Sequence, residues 1–291
     1  MTPAGRPIHW GAGPLSFSLE SDDPAVRRLA ATVFQPWASH DESIPTHSWR
    51  VEPVDGNGSG PAWRVRSSAG MAVELPSAAR AVTAVEYNAV AAIAESEAVI
   101  VHGALVVRDG RGLLLAGRGE AGKSTLACAL WERGATLLGD DMAILDVATG
   151  KARPAPRRVS LRRPSRALLG DAFVERIMAG PSSVETRESH LFHPEEIEAR
   201  PHFAEAPLHA IALLARRGSV TAPARHEPVA PAHALLALLP YTNLRTRGPL
   251  GDAIRTLAPL AERVPVFDLG RGPLDRMAAA VEELAGLGAP A

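Results

Sequence analysis

Gly117-Arg118-Gly119-Glu120-Ala121-Gly122-Lys123-Ser124 has the G-x-x-x-x-G-K-[ST] spacing of a phosphate-binding P-loop. Glycines let backbone N–H groups close around phosphate oxygens, and a following helix N-terminus adds partial positive charge. In such a loop Lys123 reaches the β- and γ-phosphates of ATP, and the Ser124 hydroxyl ligates Mg²⁺. The acidic pair Asp140-Asp141 comes shortly afterwards. Two consecutive carboxylates allow one to hold Mg²⁺ while the other takes a proton from an attacking hydroxyl.

Those residues need a strand, a loop, a helix and a second strand to position them. Residues 113–116 are an apolar run of strand length, and 124–133 read as the helix leaving the loop. Gly134 suits the left-handed position past a helix end. The apolar run 135–138 then stops at Gly139, which puts the carboxylates at the tip of the second strand.

The run from His102 to Asp141 resembles the catalytic core of the HPr kinase/phosphorylase family, P-loop enzymes that phosphorylate a serine on a carrier protein. The matching features are His102-Gly103, Asp109-Gly110, Gly117 to Ser124, Arg133-Gly134 and Asp140-Asp141, in that order. The resemblance is closest to divergent HPr-kinase-related proteins, including those that modify precursor peptides. It implies Asp140 as general base, Asp141 as a magnesium or water ligand, and His102 as a partner of the catalytic carboxylates. It also implies a basic residue in a polar loop, which makes Arg187 a candidate for stabilising transition-state charge. The nucleotide-binding set is then Gly117, Arg118, Gly119, Glu120, Ala121, Gly122, Lys123, Ser124 and Thr125, with Ser124 and Asp141 on the metal. The chain departs from the family at Thr125, where the family has glutamate, and it lacks the Leu-Glu-Ile-Arg-Gly signature. Neither the reverse phosphorolysis nor the carrier protein as acceptor is therefore carried over.

The chain has 291 residues, 46% hydrophobic and 22% charged, with net charge −1. Near-neutrality argues against broad electrostatic binding of nucleic acid or an anionic membrane. No run of 18 apolar residues and no apolar leader appear, so a cytoplasmic chain without a membrane span is expected. Arginine outnumbers lysine 29 to 2. Against that background Lys123 stands out, because a planar guanidinium does not replace a compact ammonium. Cys128, the lone cysteine, excludes an internal disulfide.

The expected fold is α/β: a P-loop kinase core of the HPr kinase type, a mixed sheet with flanking helices, over residues 96–291. A small α+β region over 1–95 precedes it. There Asp23-Pro24 caps a helix to Phe34, and short alternating runs at 49–52, 63–66 and 71–75 suggest an antiparallel meander with one wet face. Residues 53–61 are the most turn-like segment, and a helix over 78–94 leads to the strand 98–101. A scaffold or homo-oligomerisation module and a substrate-recognition module are both open readings of this region.

After Asp141, a strand over 142–147 turns at Thr149-Gly150. Arg157, Arg158, Arg162, Arg163 and Arg166 follow, either a solvated loop or a phosphate clamp with Arg157 and Arg162 as first choices. His190, His193, His202 and His209 fit no compact zinc spacing. Strands at 208–215 and 265–269 alternate with helices at 232–239, 252–262 and 274–287, and Tyr241-Thr242-Asn243 either lines a groove or punctuates helices. The leading expectation is a kinase that moves the γ-phosphate of ATP to a serine hydroxyl of a peptide or protein. A kinase of a small hydroxylated metabolite, or a nucleotide-binding switch acting through a partner, are the alternatives.

Overall fold

The structure, a computed structural model, describes residues 6–12, 14–39, 44–55, 61–198, 205–214 and 226–286. The chain forms two compact units, one of residues 1–98 with 156–158, the other of 99–155 with 159–291.

In the first unit, β1 (Ile8–Ala12), β2 (Leu15–Glu20), α1 (Pro24–Phe34), β3 (His47–Val54), β4 (Ala62–Ser67), β5 (Ala72–Leu75) and α2 (Ala78–Glu95) follow in order. The five strands lie side by side in chain order. The expected antiparallel meander is present in β3, β4 and β5; β2, which precedes it, runs parallel to β3, with α1 between them in the chain. Asp23 caps α1, its Oδ1 accepting from the Ala25 and Val26 N–H groups at 2.7 and 3.1 Å. Trp10 stacks on Phe34 at 3.9 Å between ring centroids, with Phe17 and Trp49 beside it. Helix α2 buries Ala81, Val82, Val85, Glu86, Ala89, Val90 and Ile93, a stripe at helical spacing interrupted by one charge. Residues 56–60 of the turn-like segment lie outside the described residues.

The second unit starts with β6 (Val99–Arg108), β7 (Arg111–Ala116), α3 (Lys123–Glu132), β8 (Thr136–Gly139), β9 (Met142–Asp146) and β10 (Lys151–Pro154). Next come β11 (Val159–Arg162), α4 (Arg163–Arg166), α5 (Asp171–Met178), β12 (Val184–Glu185), β13 (Ser189–Phe192) and α6 (Pro194–Ile197). The chain ends with β14 (Ala206–Leu214), β15 (His226–Val229), α7 (Pro231–Leu238), α8 (Leu250–Arg263), β16 (Val266–Leu269) and α9 (Leu274–Leu284). The architecture is mixed α/β. An eight-stranded sheet runs β10-β9-β6-β7-β14-β16-β15, with β8 also on β6, and β10 bonds to β14 as well as β9, which closes five strands into a ring. A separate three-stranded sheet runs β11-β13-β12.

Strand periodicity feeds two cores. Ala104, Val106, Leu113 and Leu115 pack with α3, α5 and α9 on one face, while Leu105, Val107, Leu114 and Ala116 pack with α7 and α8 on the other. Covered on both faces, β6 and β7 read as continuous apolar runs rather than alternating ones. Among the described residues no helix is long and apolar enough to cross a membrane.

Three further expectations are revised. The strand expected at 98–101 continues through His102-Gly103 to Arg108 as one element. Arg157 to Arg166 is not a solvated loop: it carries β11 and α4, and Arg158 is fully buried. Tyr241-Thr242-Asn243 docks on β6, where Thr242 pairs with Val101 and Asn243 Oδ1 accepts from the Ile100 N–H at 3.0 Å.

Candidate functional site

Strand β6 lies between β7 and the in-line pair β8 and β9. Both β8 and β9 run antiparallel to it, β8 against residues 105–107 and β9 against 99–102. Asp140 and Asp141 fill the break between them. The acidic pair therefore follows the tip of β8, as expected, and because β9 resumes along β6 it also lies in an interruption partway along that strand; β6 separates it from the strand that leads into the loop.

Gly103 explains how the two sides approach. It pairs with Ala116, the last residue of β7, and its N–H donates to the Asp141 carbonyl oxygen at 3.0 Å. A Cβ there would stand 2.9 Å from the Leu115 carbonyl oxygen. Any larger residue would push β6 off the end of β7.

His102, one position earlier, spans the gap. Its Nδ1 lies 2.9 Å from the carbonyl oxygen of Asp141 and 3.1 Å from Asp141 Oδ1. Its Nε2 lies 2.9 Å from Lys123 Nζ. An ammonium can only donate, so Nε2 accepts and the ring proton is assigned to Nδ1. One imidazole thus ties the loop lysine to the acidic pair.

Lys123 is 6% exposed. Nζ also donates to the carbonyl oxygens of Gly117 and Arg118, both at 3.0 Å, which accounts for its three protons. Burial lowers its pKa from the usual lysine value; Asp141 and Asp140 oppose the shift, and Arg162 adds to it.

The loop between β7 and α3 has Glu120 at φ +65° and Gly122 at φ +96°. Gly122 is the N-cap residue of α3, and glycine takes this backbone region without the cost a Cβ would add. Glu120 is non-glycine in that region, and its carboxylate accepts from Arg162 Nη1 at 2.7 Å.

Strand β11 supplies the fourth side. Val159 and Leu161 point into the core beside Trp131 and Phe192, so Ser160 and Arg162 face the opposite way. The Ser160 N–H donates to Asp140 Oδ2 at 3.2 Å. Asp140 is 3% exposed, whereas the Asp141 side chain is 34% exposed. On α4, Ser165 Oγ accepts from the Thr125 hydroxyl at 2.8 Å.

His102, Lys123, Asp140, Asp141 and the loop from Gly117 to Gly122 are thus gathered in one place, with Ser124 and Thr125 in the first turn of α3. Arg162 is brought there too. Arg157 is not: it belongs to the first unit, its guanidinium 5.0 Å from the Tyr87 ring centroid. Arg187 sits exposed in the turn between β12 and β13 and makes no hydrogen bond or ion pair among the described residues. His190 and His193 are buried at β13, His209 is exposed on β14, and His202 lies outside the described residues. Among the described residues no three His, Cys, Asp or Glu side chains gather as a metal-binding group. Cys128 is buried in α3, and burial pushes its thiol well above the ordinary value, which leaves it unreactive.

The sequence reading missed Ser160 and Ser165. Ser160 acts through its backbone N–H, which any residue type supplies, so no local signal marks it. The alternation Val159-Ser160-Leu161-Arg162 was the available clue to β11.

No family model matches the chain, and no curated protein matches it either. Among solved structures it is similar to the HPr(Ser) kinase/phosphatase from Coxiella burnetii, at 15% identity and TM-score 0.32, over 64% of this chain and 88% of that one.

Proposed function

We propose that the chain is an ATP- and Mg²⁺-dependent kinase that transfers the γ-phosphate to a serine hydroxyl of a peptide or protein. The observation that supports the proposal is the convergence of Lys123, His102, Asp140 and Asp141 beside the loop from Gly117 to Gly122 at the N-terminus of α3. The loop N–H groups and the α3 N-terminus would hold the phosphates of ATP. Ser124 and Asp141 would hold Mg²⁺, which neutralises charge on the β- and γ-phosphate oxygens when bound.

The residues divide the remaining work by environment. Lys123 is held by carbonyl oxygens and an imidazole, neutral acceptors that a phosphate oxygen outcompetes for an ammonium. Asp140 is buried and takes the role of general base, accepting the proton from the serine hydroxyl as its oxygen attacks the γ-phosphorus. His102 keeps Asp141 and Lys123 in register across β6. A switch that only positions water has no use for a second, buried carboxylate beside the first, and this favours transfer over hydrolysis.

The test is transfer from labelled γ-ATP to serine peptides and to small hydroxyl compounds, with Lys123→Ala and Asp140→Asn as controls. Label on a peptide, lowered by about 10²–10⁴ in Asp140→Asn, is the expected result. Label confined to small metabolites would replace the acceptor class, and hydrolysis without any acceptor, undiminished in Asp140→Asn, would replace the kinase reading by the switch.

A further inference from the structure

Among the described residues β11 has a strand partner on one edge, β13. The Arg163 N–H donates to the Glu188 carbonyl oxygen at 3.2 Å, just past the pairing of Arg162 with Ser189. Ser189 directs both main-chain groups to the far side: its carbonyl oxygen accepts from the Thr186 N–H at 2.8 Å, and its N–H donates to Thr186 Oγ1 at 3.0 Å. Successive residues of an antiparallel ladder bond to opposite sides. Arg163 therefore faces β13, while Ser160 and Arg162 face away from it. The Ser160 N–H is on Asp140 Oδ2, and the Arg162 carbonyl oxygen opens helix α4. The Ser160 carbonyl oxygen and the Arg162 N–H are left, and neither makes a hydrogen bond among the described residues. Arg162 is exposed and Ser160 partly so.

Geometry sets what fits two such groups. A residue of a parallel strand donates its N–H to one carbonyl oxygen and accepts, with its own, from the N–H two residues further on. One residue lying beside Leu161 would take up both. A residue of an antiparallel strand opposite Ser160 would also need the Ser160 N–H, which Asp140 holds. Beyond Arg162 the edge is positive. Arg163 is 54% exposed and donates to the Thr186 carbonyl oxygen at 3.3 Å, and the exposed Arg187 follows Thr186 in the turn. Glu185 is shared between Arg163 and Arg166. Arg162, Arg163, Arg166 and Arg187 thus outnumber Glu120, Glu185 and Glu188.

We propose that the free edge of β11 takes the acceptor as an added parallel strand: an extended peptide with acidic residues after its serine. Asp140 stands where the next main-chain acceptor of such a strand would be, so the added pairing ends there. The residue before the paired one is then brought against the carboxylate, and this is the place of the serine. Main-chain bonds supply affinity and the arginines supply preference, the division of labour of a peptide that completes a sheet edge. The place of the serine rests on the kinase reading above, whereas the edge pairing does not.

Arg162 has φ −66°, the value that proline fixes. Arg162→Pro therefore removes the N–H and the side chain without moving the backbone, and Arg162→Ala removes the side chain alone. The probes are an unstructured peptide with two glutamates after its one serine, and a fluorescein-labelled form with alanine in place of that serine. Anisotropy reads binding to the full chain, and labelled γ-ATP reads transfer. The alanine form is expected to bind about 3–10-fold more weakly to Arg162→Pro than to Arg162→Ala, the loss of one main-chain hydrogen bond. On the wild-type chain, N-methylating the residue after the alanine is expected to weaken binding by a similar factor. Equal binding in both comparisons would overturn the inference and leave the kinase proposal standing. Weakened binding without transfer would retain the edge and reject the kinase. Transfer to small hydroxyl compounds with no peptide bound would reject the edge and retain a kinase.

Discussion

Lys123 Nζ and His102 Nε2 stand 2.9 Å apart, and the other nitrogen of the same imidazole, Nδ1, lies 3.1 Å from Asp141 Oδ1. A buried ammonium held mainly by neutral groups has its pKa lowered, first by burial. The unfolded chain, with the higher pKa, takes the proton more readily. That opposes folding at every pH below the folded pKa and fades as pH rises toward 10.5. Lys123→Met is therefore expected to unfold at higher urea than wild type at pH 7, with the gap closing as the pH approaches 10. A gap that stays constant in urea titrations across that range would mean the ammonium is not what opposes folding.

His102→Gln is expected to cost about 10–100-fold in kcat, the range for groups that orient a metal ligand, with a folded protein retained. The check is steady-state transfer together with circular dichroism. A change in KM for ATP alone would place His102 in binding rather than in alignment.

Arg162 and Glu120 form an exposed pair, 56% and 75% accessible, and such pairs contribute roughly 0–1 kcal/mol. Glu120→Ala should leave stability nearly unchanged and free Arg162 for phosphate. Arg162→Ala should raise the Kd for ATP about tenfold or more, the loss of one charge-assisted hydrogen bond at about 1.5–3 kcal/mol. Titration calorimetry on both variants separates the two effects.

Asp23 caps α1 and also accepts from Trp63 Nε1 at 3.1 Å, joining the helix to β4. Burial pushes its carboxyl up, yet the Val26 N–H, the Trp63 indole and the Ala25 N–H together hold it below 3.8. Asp23→Ala is expected to cost about 1–2 kcal/mol. Because the folded pKa is the lower one, this contribution is present above pH 3.8 and is lost as the pH falls through the folded value, which urea unfolding at pH 7 and pH 3 would register.

His190 is 4% exposed, with Arg166 and Glu185 near its ring. Burial, and then the Arg166 charge, lowers its pKa from 6.5; Glu185 and the Ile177 backbone oppose the shift. The unfolded chain protonates first, so stability falls as pH drops from 6.5 toward the folded pKa. His190→Gln should flatten that slope in thermal unfolding followed from pH 7 to 5.

The loop, α3, the capped α1 and most strands of the first unit were legible because each carries its own local signal. The place of Lys123 and Ser124 in the first turn of the helix after the loop could be read from spacing alone. What joins them to Asp140 and Asp141 could not. His102 works because β6 separates β7 from β8 and β9, a relation set by pairings between distant segments. The interruption holding the acidic pair depends on β9 resuming along the same edge, which the apolar run before Gly139 does not announce. Strand β11 was hidden by composition: in an arginine-rich chain its alternation reads as a basic loop. The parallel joint of β2 and β3 escaped because short alternating runs carry no direction. Glu86 had a signal that was passed over, a carboxylate at a position where the helical period demands an apolar side chain.

The excursion of residues 156–158 also has a consequence during synthesis. The first unit is not complete when Ala98 has left the ribosome, because the partner of its buried glutamate is made about sixty residues later. Until Arg158 emerges, Glu86 must stay hydrated or take up a proton, and α2 cannot settle fully on its sheet. By the time it can, β7, α3 and the acidic pair have already been made, although most of the first unit precedes them in the chain.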